Sequence, residues 1–221
     1  MGPVVAALAF LAGLQADTGF VIQAHKLASP PTIDGNVDQS EWQGVPVEAG
    51  FLQYLPRRGE PASQPTEVLL AYDHKVLYVA FRVSDEHEPT AQLTRRDAEL
   101  LEDDAVVVVL DTHGDRQSAY YFVTNLLGTQ ADGRIADDGR TVDASWDGAW
   151  RAAARRTDYG WSAELAIPFA SLSFRRGSGV IWGINFGRSR RSTLERSFWA
   201  GPLDNQYRGP CGRGPTSASP L

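Results

Sequence analysis

The stretch "TEVLLAYDHKVLYVAFRVSD" (66–85) decides the fold class. It holds two β-rich runs around Asp73-His74-Lys75, a short polar connection of the kind that turns a hairpin. In the second run Leu77, Val79, Phe81 and Val83 alternate with Val76, Tyr78, Ala80 and Arg82. With a period of two, one face is wholly apolar; a helix would scatter the same residues around its axis.

Working outward, "AVVVVLD" (105–111) is a continuous apolar run suited to a strand covered on both faces. "SAYYFVTNLLG" (118–128) follows the turn "THGDRQ" and reads as its antiparallel partner. Strand parity splits Tyr120 from Tyr121 and assigns Phe122 to packing. A second hairpin, "WRAAARRTDYGWSAELAIPF" (150–169), turns at Asp158-Tyr159-Gly160. Trp161, Ala163, Leu165 and Ile167 share one face of it, and Pro168, with no N–H to donate, ends the ladder. Strands are also expected in 180–191 and 196–201. No segment sustains a helical period, and "AQLTRRDAELLED" (91–103) has room for one short helical turn. The expectation is an all-β protein, an antiparallel, jelly-roll-like β-sandwich of roughly seven to ten strands.

The 221 residues suit one domain with tails. A hydrophobic fraction of 43% supplies a real core, and a formal charge of −6 offers no basic footprint for nucleic acid. The single cysteine, Cys211, excludes an internal disulfide and a cysteine-based zinc site. Residues 3–14 form an apolar run of signal-peptide length, short for a bilayer span. The boundaries read as signal peptide 1–16, linker 17–29, sandwich 30–203 and a disordered, truncated tail 204–221 rich in Gly, Pro and Ser. The mature chain is then expected to be exported to a periplasmic or extracellular space, with no membrane span.

Five segments together resemble the family 9 carbohydrate-binding modules, and more closely the family-9-like domains at the N-termini of outer-membrane barrel proteins. They are "PPTIDGNVDQSEW" (30–42), 66–85, "RRDAELLEDDAVVVVLDTHGDRQSAYYFVTNLLG" (95–128), 150–174 and "WGINFGRSRR" (182–191). The resemblance implies a β-sandwich that binds an oligo- or polysaccharide, attached to a glycoside hydrolase or a barrel and serving glycan breakdown without catalysing it. Two alternatives stand beside it. One is a periplasmic structural or partner-binding domain without sugar affinity; the other is a hydrolase acting on glycosidic bonds.

Sugar binding needs aromatic faces for pyranose C–H surfaces and polar groups for hydroxyls. Of six tryptophans, Trp161 falls on the core face, Trp42 and Trp150 read as core, and Trp182 is undecided. Trp146, among Asp143, Ser145 and Asp147, is the best exposed ring. Better-known family members clamp a terminal sugar between two tryptophans, which makes Trp146 and Trp199 the expected clamp. Arg96 and Asp97 suit hydroxyl recognition, as do Asn185 and Arg188 on another strand.

The acidic "RRDAELLEDD" (95–104) is poor catalytic geometry, because adjacent Asp103 and Asp104 diverge at a strand entrance. No other segment offers a glycosidase pair, so no catalytic residue is expected. Family relatives carry structural calcium, so Asp103 and Asp104 are the expected calcium ligands if that ion is present, completed from another loop. Otherwise the cluster solvates a loop ahead of a buried strand. The four histidines are scattered without metal spacing.

Overall fold

The computed structural model describes residues 21–137, 139–174 and 181–200. The expected signal peptide and the tail with Cys211 lie outside the described residues. Among the described residues thirteen strands build two sheets. They are β1 (His25–Lys26), β2 (Val47–Glu48), β3 (Leu52–Leu55), β4 (Thr66–Tyr72), β5 (Val76–Ser84), β6 (Ala105–Asp111) and β7 (Ala119–Asn125). The rest are β8 (Gln130–Ala136), β9 (Thr141–Asp143), β10 (Arg151–Thr157), β11 (Gly160–Pro168), β12 (Gly183–Arg190) and β13 (Glu195–Phe198). The first sheet runs β1-β4-β5-β11-β10, with β2 also on β4; the second runs β3-β13-β12-β6-β7-β8-β9. Every pair is antiparallel except β1 with β4.

Both hairpins stand where the sequence places them. Leu70 pairs with Val79 across the β4–β5 turn, and Ala154 with Ala163 across the β10–β11 turn. β6 is buried along its whole length, as its unbroken apolar run requires. The strands not expected are short edge pieces and β8, whose "QADGRIA" carries little β-propensity. Its place is set by pairing with β7, from Ala119–Ile135 to Thr124–Gln130. The expected helical turn is a 3-10 turn at Leu100–Glu102, with two more at Phe169–Ser171 and Arg191–Thr193.

Between the sheets lies the main core. Val68, Leu70, Val79, Phe81, Trp161 and Leu165 from one sheet meet Val106, Val108, Phe122, Ile184 and Phe186 from the other. At about 25 cal/mol per Å² of apolar area removed from water, this layer dominates the stabilisation. Residues 22–27 correct the expected linker: Ile22 and Ala24 are buried in this core, and His25–Lys26 extends the first sheet beside β4. The sandwich therefore begins earlier than residue 30.

The outer face of the first sheet is closed as well. Trp42 and Val45, from the segment after β1, cover Leu69, Ala71, Tyr78, Ala80 and Ala166. Glu164 of β11 anchors the covering segment, accepting bonds from Trp42 Nε1 (2.9 Å) and the backbone N–H groups of Asp34 (3.1 Å) and Gly35 (3.0 Å). Gly35 has φ +83°, and a Cβ there would lie 2.7 Å from the Ala154 carbonyl carbon, so "IDG" admits only glycine at its third place. Burial pushes the Glu164 carboxyl up to about 7, although its three donors pull the other way.

Candidate functional site

The outer face of the second sheet is covered only in part. Val107 and Val109 (β6), Tyr121 and Val123 (β7) and Ala131 and Ile135 (β8) form an apolar layer there. Leu100 plugs into this layer, with Leu93, Ala98 and Leu101 packed beside it. Past that loop an open groove of about 110 Å³ remains, reaching from Phe198 across Val107 and Tyr121 to Val142 and Ala144. At about 10–15 Å³ per water on this measure, it holds several waters or one small ring.

Two glycines shape its floor. A Cβ on Gly187 would lie 2.7 Å from the Phe198 ring, and one on Gly133 would lie 2.5 Å from Tyr121 Oη. Both rings thus lie across the neighbouring strand where a side chain would otherwise stand. Along the rim stand the exposed Asp97 and Glu99, with buried Asp132 beneath them. Asp97 holds a left-handed φ of 58°, a conformation that carboxamide and carboxylate residues tolerate best among non-glycines.

The loop carrying this rim is held by the acidic pair behind it. Asp103 Oδ2 accepts from the N–H groups of Gln92 (3.0 Å) and Leu93 (2.9 Å) and from Asn125 Nδ2 (2.9 Å). Asp104 Oδ2 accepts from the Thr90 N–H at 2.6 Å, and its Oδ1 from the Arg191 N–H at 3.4 Å. Burial pushes the Asp104 carboxyl up, against those bonds. Both side chains are 2% exposed, so the "DD" is a buried latch and not a solvated threshold.

The two expected calcium ligands serve here as hydrogen-bond acceptors: Asp103 Oδ2 and Asp104 Oδ2 already accept from backbone N–H groups, whereas a hard cation needs six to eight oxygens. Among the described residues no three His, Cys, Asp or Glu side chains gather as a metal site.

Arg96 stands behind Asp97 and braces the rim. Its guanidinium reaches Gln130 Oε1 (2.8 Å), Asp132 Oδ1 (2.6 Å) and Asp147 Oδ1 (2.5 Å), with Asp97 Oδ2 3.7 Å from its Nε. Asp132 also accepts from Trp150 Nε1 (3.0 Å) and the Gly148 N–H (2.7 Å). Burial nevertheless holds its carboxyl above the usual range. Of the expected ligand contacts, Asp97 therefore lies on the groove, and Arg96 positions it.

The other expected contacts lie elsewhere. Trp199 is 2% exposed and packs edge-on against Phe186 at 5.6 Å, inside the core. Trp146 is half-buried at the end of the sandwich, 4.8 Å from Tyr120 and 6.0 Å from Phe122, with the Arg134 guanidinium 5.4 Å from its ring. These two rings have different neighbours and form no clamp. The Trp146 loop is polar and suggests exposure, yet its indole folds back onto the core end.

Asn185 is fully buried, and its Oδ1 accepts from the Phe186 and Ala200 N–H groups. Arg188 is buried in an ion pair with Asp85 at 2.8 Å, which Arg190 shares. Burial alone would raise the Asp85 carboxyl, but the Arg190 and Arg188 guanidiniums outweigh it and hold it low. This network fastens the end of β5 to β12. Sequence reading missed Tyr121, Phe198 and Glu99 as groove residues. Parity alone put Tyr121 on the face opposite Phe122, and that signal was the one available.

A two-sheet antiparallel sandwich with one sealed outer face and one grooved outer face is the class of domain these features define. The chain belongs to the carbohydrate family 9 binding domain-like family, whose sequence profile matches residues 33–201. Its fold is similar to that of a candidate carbohydrate-binding protein from Bacteroides uniformis, at 15% identity and a TM-score of 0.71, over 91% of this chain and 100% of that one. It is also similar to a family 9 module from Caldicellulosiruptor kristjanssonii solved with cellotriose (18% identity, TM-score 0.64, 90% of this chain and 93% of that one). The same organism's module solved with glucose aligns at 18% identity and a TM-score of 0.65, over 90% of this chain and 95% of that one. No curated protein matches the chain at a significant level. Among the described residues no helix is long and apolar enough to cross a membrane.

Proposed function

We propose that this domain binds a glycan in the groove on the outer face of the second sheet. The observation that carries the reading is the groove's make-up: an apolar floor under a rim of exposed carboxylates. A pyranose offers the complementary pattern, with C–H patches on its faces and hydroxyls around its edge. Tyr121 and Phe198 supply rigid aromatic area to the faces, while Asp97 and Glu99 accept from the hydroxyls. Membership of the family and the sugars bound in the two Caldicellulosiruptor kristjanssonii structures support the same reading.

The domain then serves as an exported, non-catalytic accessory unit, attached to a glycoside hydrolase or a barrel and holding it on its polysaccharide. The apolar run at 3–14 supports export. Titration calorimetry of the full chain against glucose, xylose, cellobiose and longer oligosaccharides tests the reading. Binding that Asp97→Asn weakens about threefold to tenfold, with the melting temperature kept, is the expected result. Absence of heat with every sugar, or binding indifferent to Asp97, overturns it.

A further inference from the structure

The groove has a neighbour on the same sheet face. A second cleft, of about 170 Å³, is lined by Ser189, Arg191, Leu194, Arg196 and Glu102, and Leu101 borders both spaces. One strand contributes to both: Phe198 of β13 lies in the first and Arg196 of β13 in the second. Two residues along a strand is about 6.6 Å at ~3.3 Å per residue, on the order of one sugar ring. A chain leaving the first space along β13 therefore enters the second within one ring.

The two spaces carry opposite charge. The first is rimmed by the exposed carboxylates of Asp97 and Glu99. In the second, the guanidiniums of Arg191 and Arg196 both reach the Glu102 carboxylate, at 3.8 and 3.4 Å. Arg190 also lines this cleft, but its guanidinium is bound to Asp85 at 2.8 Å and faces inward. The reversal that joins β12 to β13 is what brings the two cations together. It passes through Leu194 at φ 53°, a conformation that branched side chains rarely adopt.

We infer that the site takes an acidic oligosaccharide, with a neutral ring in the groove and a ring bearing a carboxylate or sulfate in the adjoining arginine cleft. This rests on the glycan-binding reading above and adds the substrate class. An anion in the first space would meet like charge at its rim, whereas in the second it would pair with two planar, always-charged donors. The ligand's polarity along the face follows from that difference.

Calorimetry with the full chain separates the outcomes, using methyl cellobioside, the same disaccharide oxidised at C6 of one ring to the uronate, and its C6-sulfated form. The expected result is about tenfold tighter binding of one or both acidic forms than of the neutral one, fading as salt rises. Which acidic form gains distinguishes uronate from sulfate. Arg196→Gln is expected to abolish the preference, bringing the affinity for the acidic forms down to that for the neutral sugar. Glu102→Gln, which removes the competing carboxylate, is expected to increase the preference, a gain that a damaged fold would not produce. Equal affinity for neutral and acidic forms, or a preference indifferent to both variants, overturns the inference and leaves the glycan-binding reading standing. No binding of any of the three sugars overturns both.

Discussion

The two outer faces of this sandwich are built from the same kind of strand and end differently. On the first sheet, the segment around Trp42 and Val45 lies across the strands and is anchored on a buried carboxylate, Glu164. On the second, the 93–101 loop is anchored on another buried carboxylate, Asp103, but covers only part of the apolar layer. One lid is bulky and spans its face; the other is short and leaves Tyr121, Val107 and Phe198 beside open space. The difference teaches that a groove here is an incomplete lid. It needs no special strand chemistry beyond two glycines that lower its floor.

Removing the complete lid should have the largest effect. Trp42→Ala is expected to cost about 3–5 kcal/mol in denaturant unfolding, because it leaves a large void and strips Glu164 of a donor. If the lids are independent, sugar affinity measured below the transition stays as in the parent. A coupled loss of affinity would break the comparison.

Next, Asp103→Ala removes the acceptor of three donors, two of them backbone N–H groups of the incomplete lid. A cost of about 2–3 kcal/mol is expected, with amide hydrogen exchange rising first in 90–101. Sugar affinity should fall with it, unlike in the Trp42 variant.

The pH dependence comes third. Glu164 has its carboxyl raised to about 7 from an ordinary 4.5, so the folded state binds the proton more tightly than the unfolded one. Stability from this group is therefore full at acidic pH below about 4.5 and declines as pH rises through about 7, by up to a few kcal/mol. Glu164→Gln is expected to flatten that decline in melting temperature measured from pH 4 to 8. An unchanged slope would show that the lid's anchor is not the titrating group.

The smallest effect is expected at the rim. Asp97→Asn keeps size and tolerates the left-handed backbone, so stability should shift by less than about 0.5 kcal/mol. Sugar affinity should fall about threefold to tenfold as a charged acceptor becomes a neutral one.

Much of the architecture was legible from period-two patterning. The β4–β5 and β10–β11 hairpins, the doubly covered β6 and the opposite faces of Tyr121 and Phe122 all follow from which residues alternate. Polarity misled the site. Asn185 and Arg188 look like ligand contacts in a sequence, because polar side chains on a strand usually face water. Here they are held inside, Asn185 Oδ1 by two backbone N–H groups and the Arg188 guanidinium by Asp85. Trp199 looked terminal and exposed, but pairing of β13 with β3 and β12 carries it into the core.

The sequence by itself determined the sandwich, since an apolar face repeating every second residue has to be buried against another sheet. It also determined the family, through segments whose order and content match residues 33–201. Only the tertiary structure decided the role of "RRDAELLEDD". Asp103 and Asp104 meet backbone N–H groups ten to fourteen residues earlier, Arg96 meets Asp132 and Asp147, and Asp97 is left at the groove. Charge is visible in a sequence, but its partners are set by chain reversals that bring distant segments within about 3 Å, and those exist only in the folded chain.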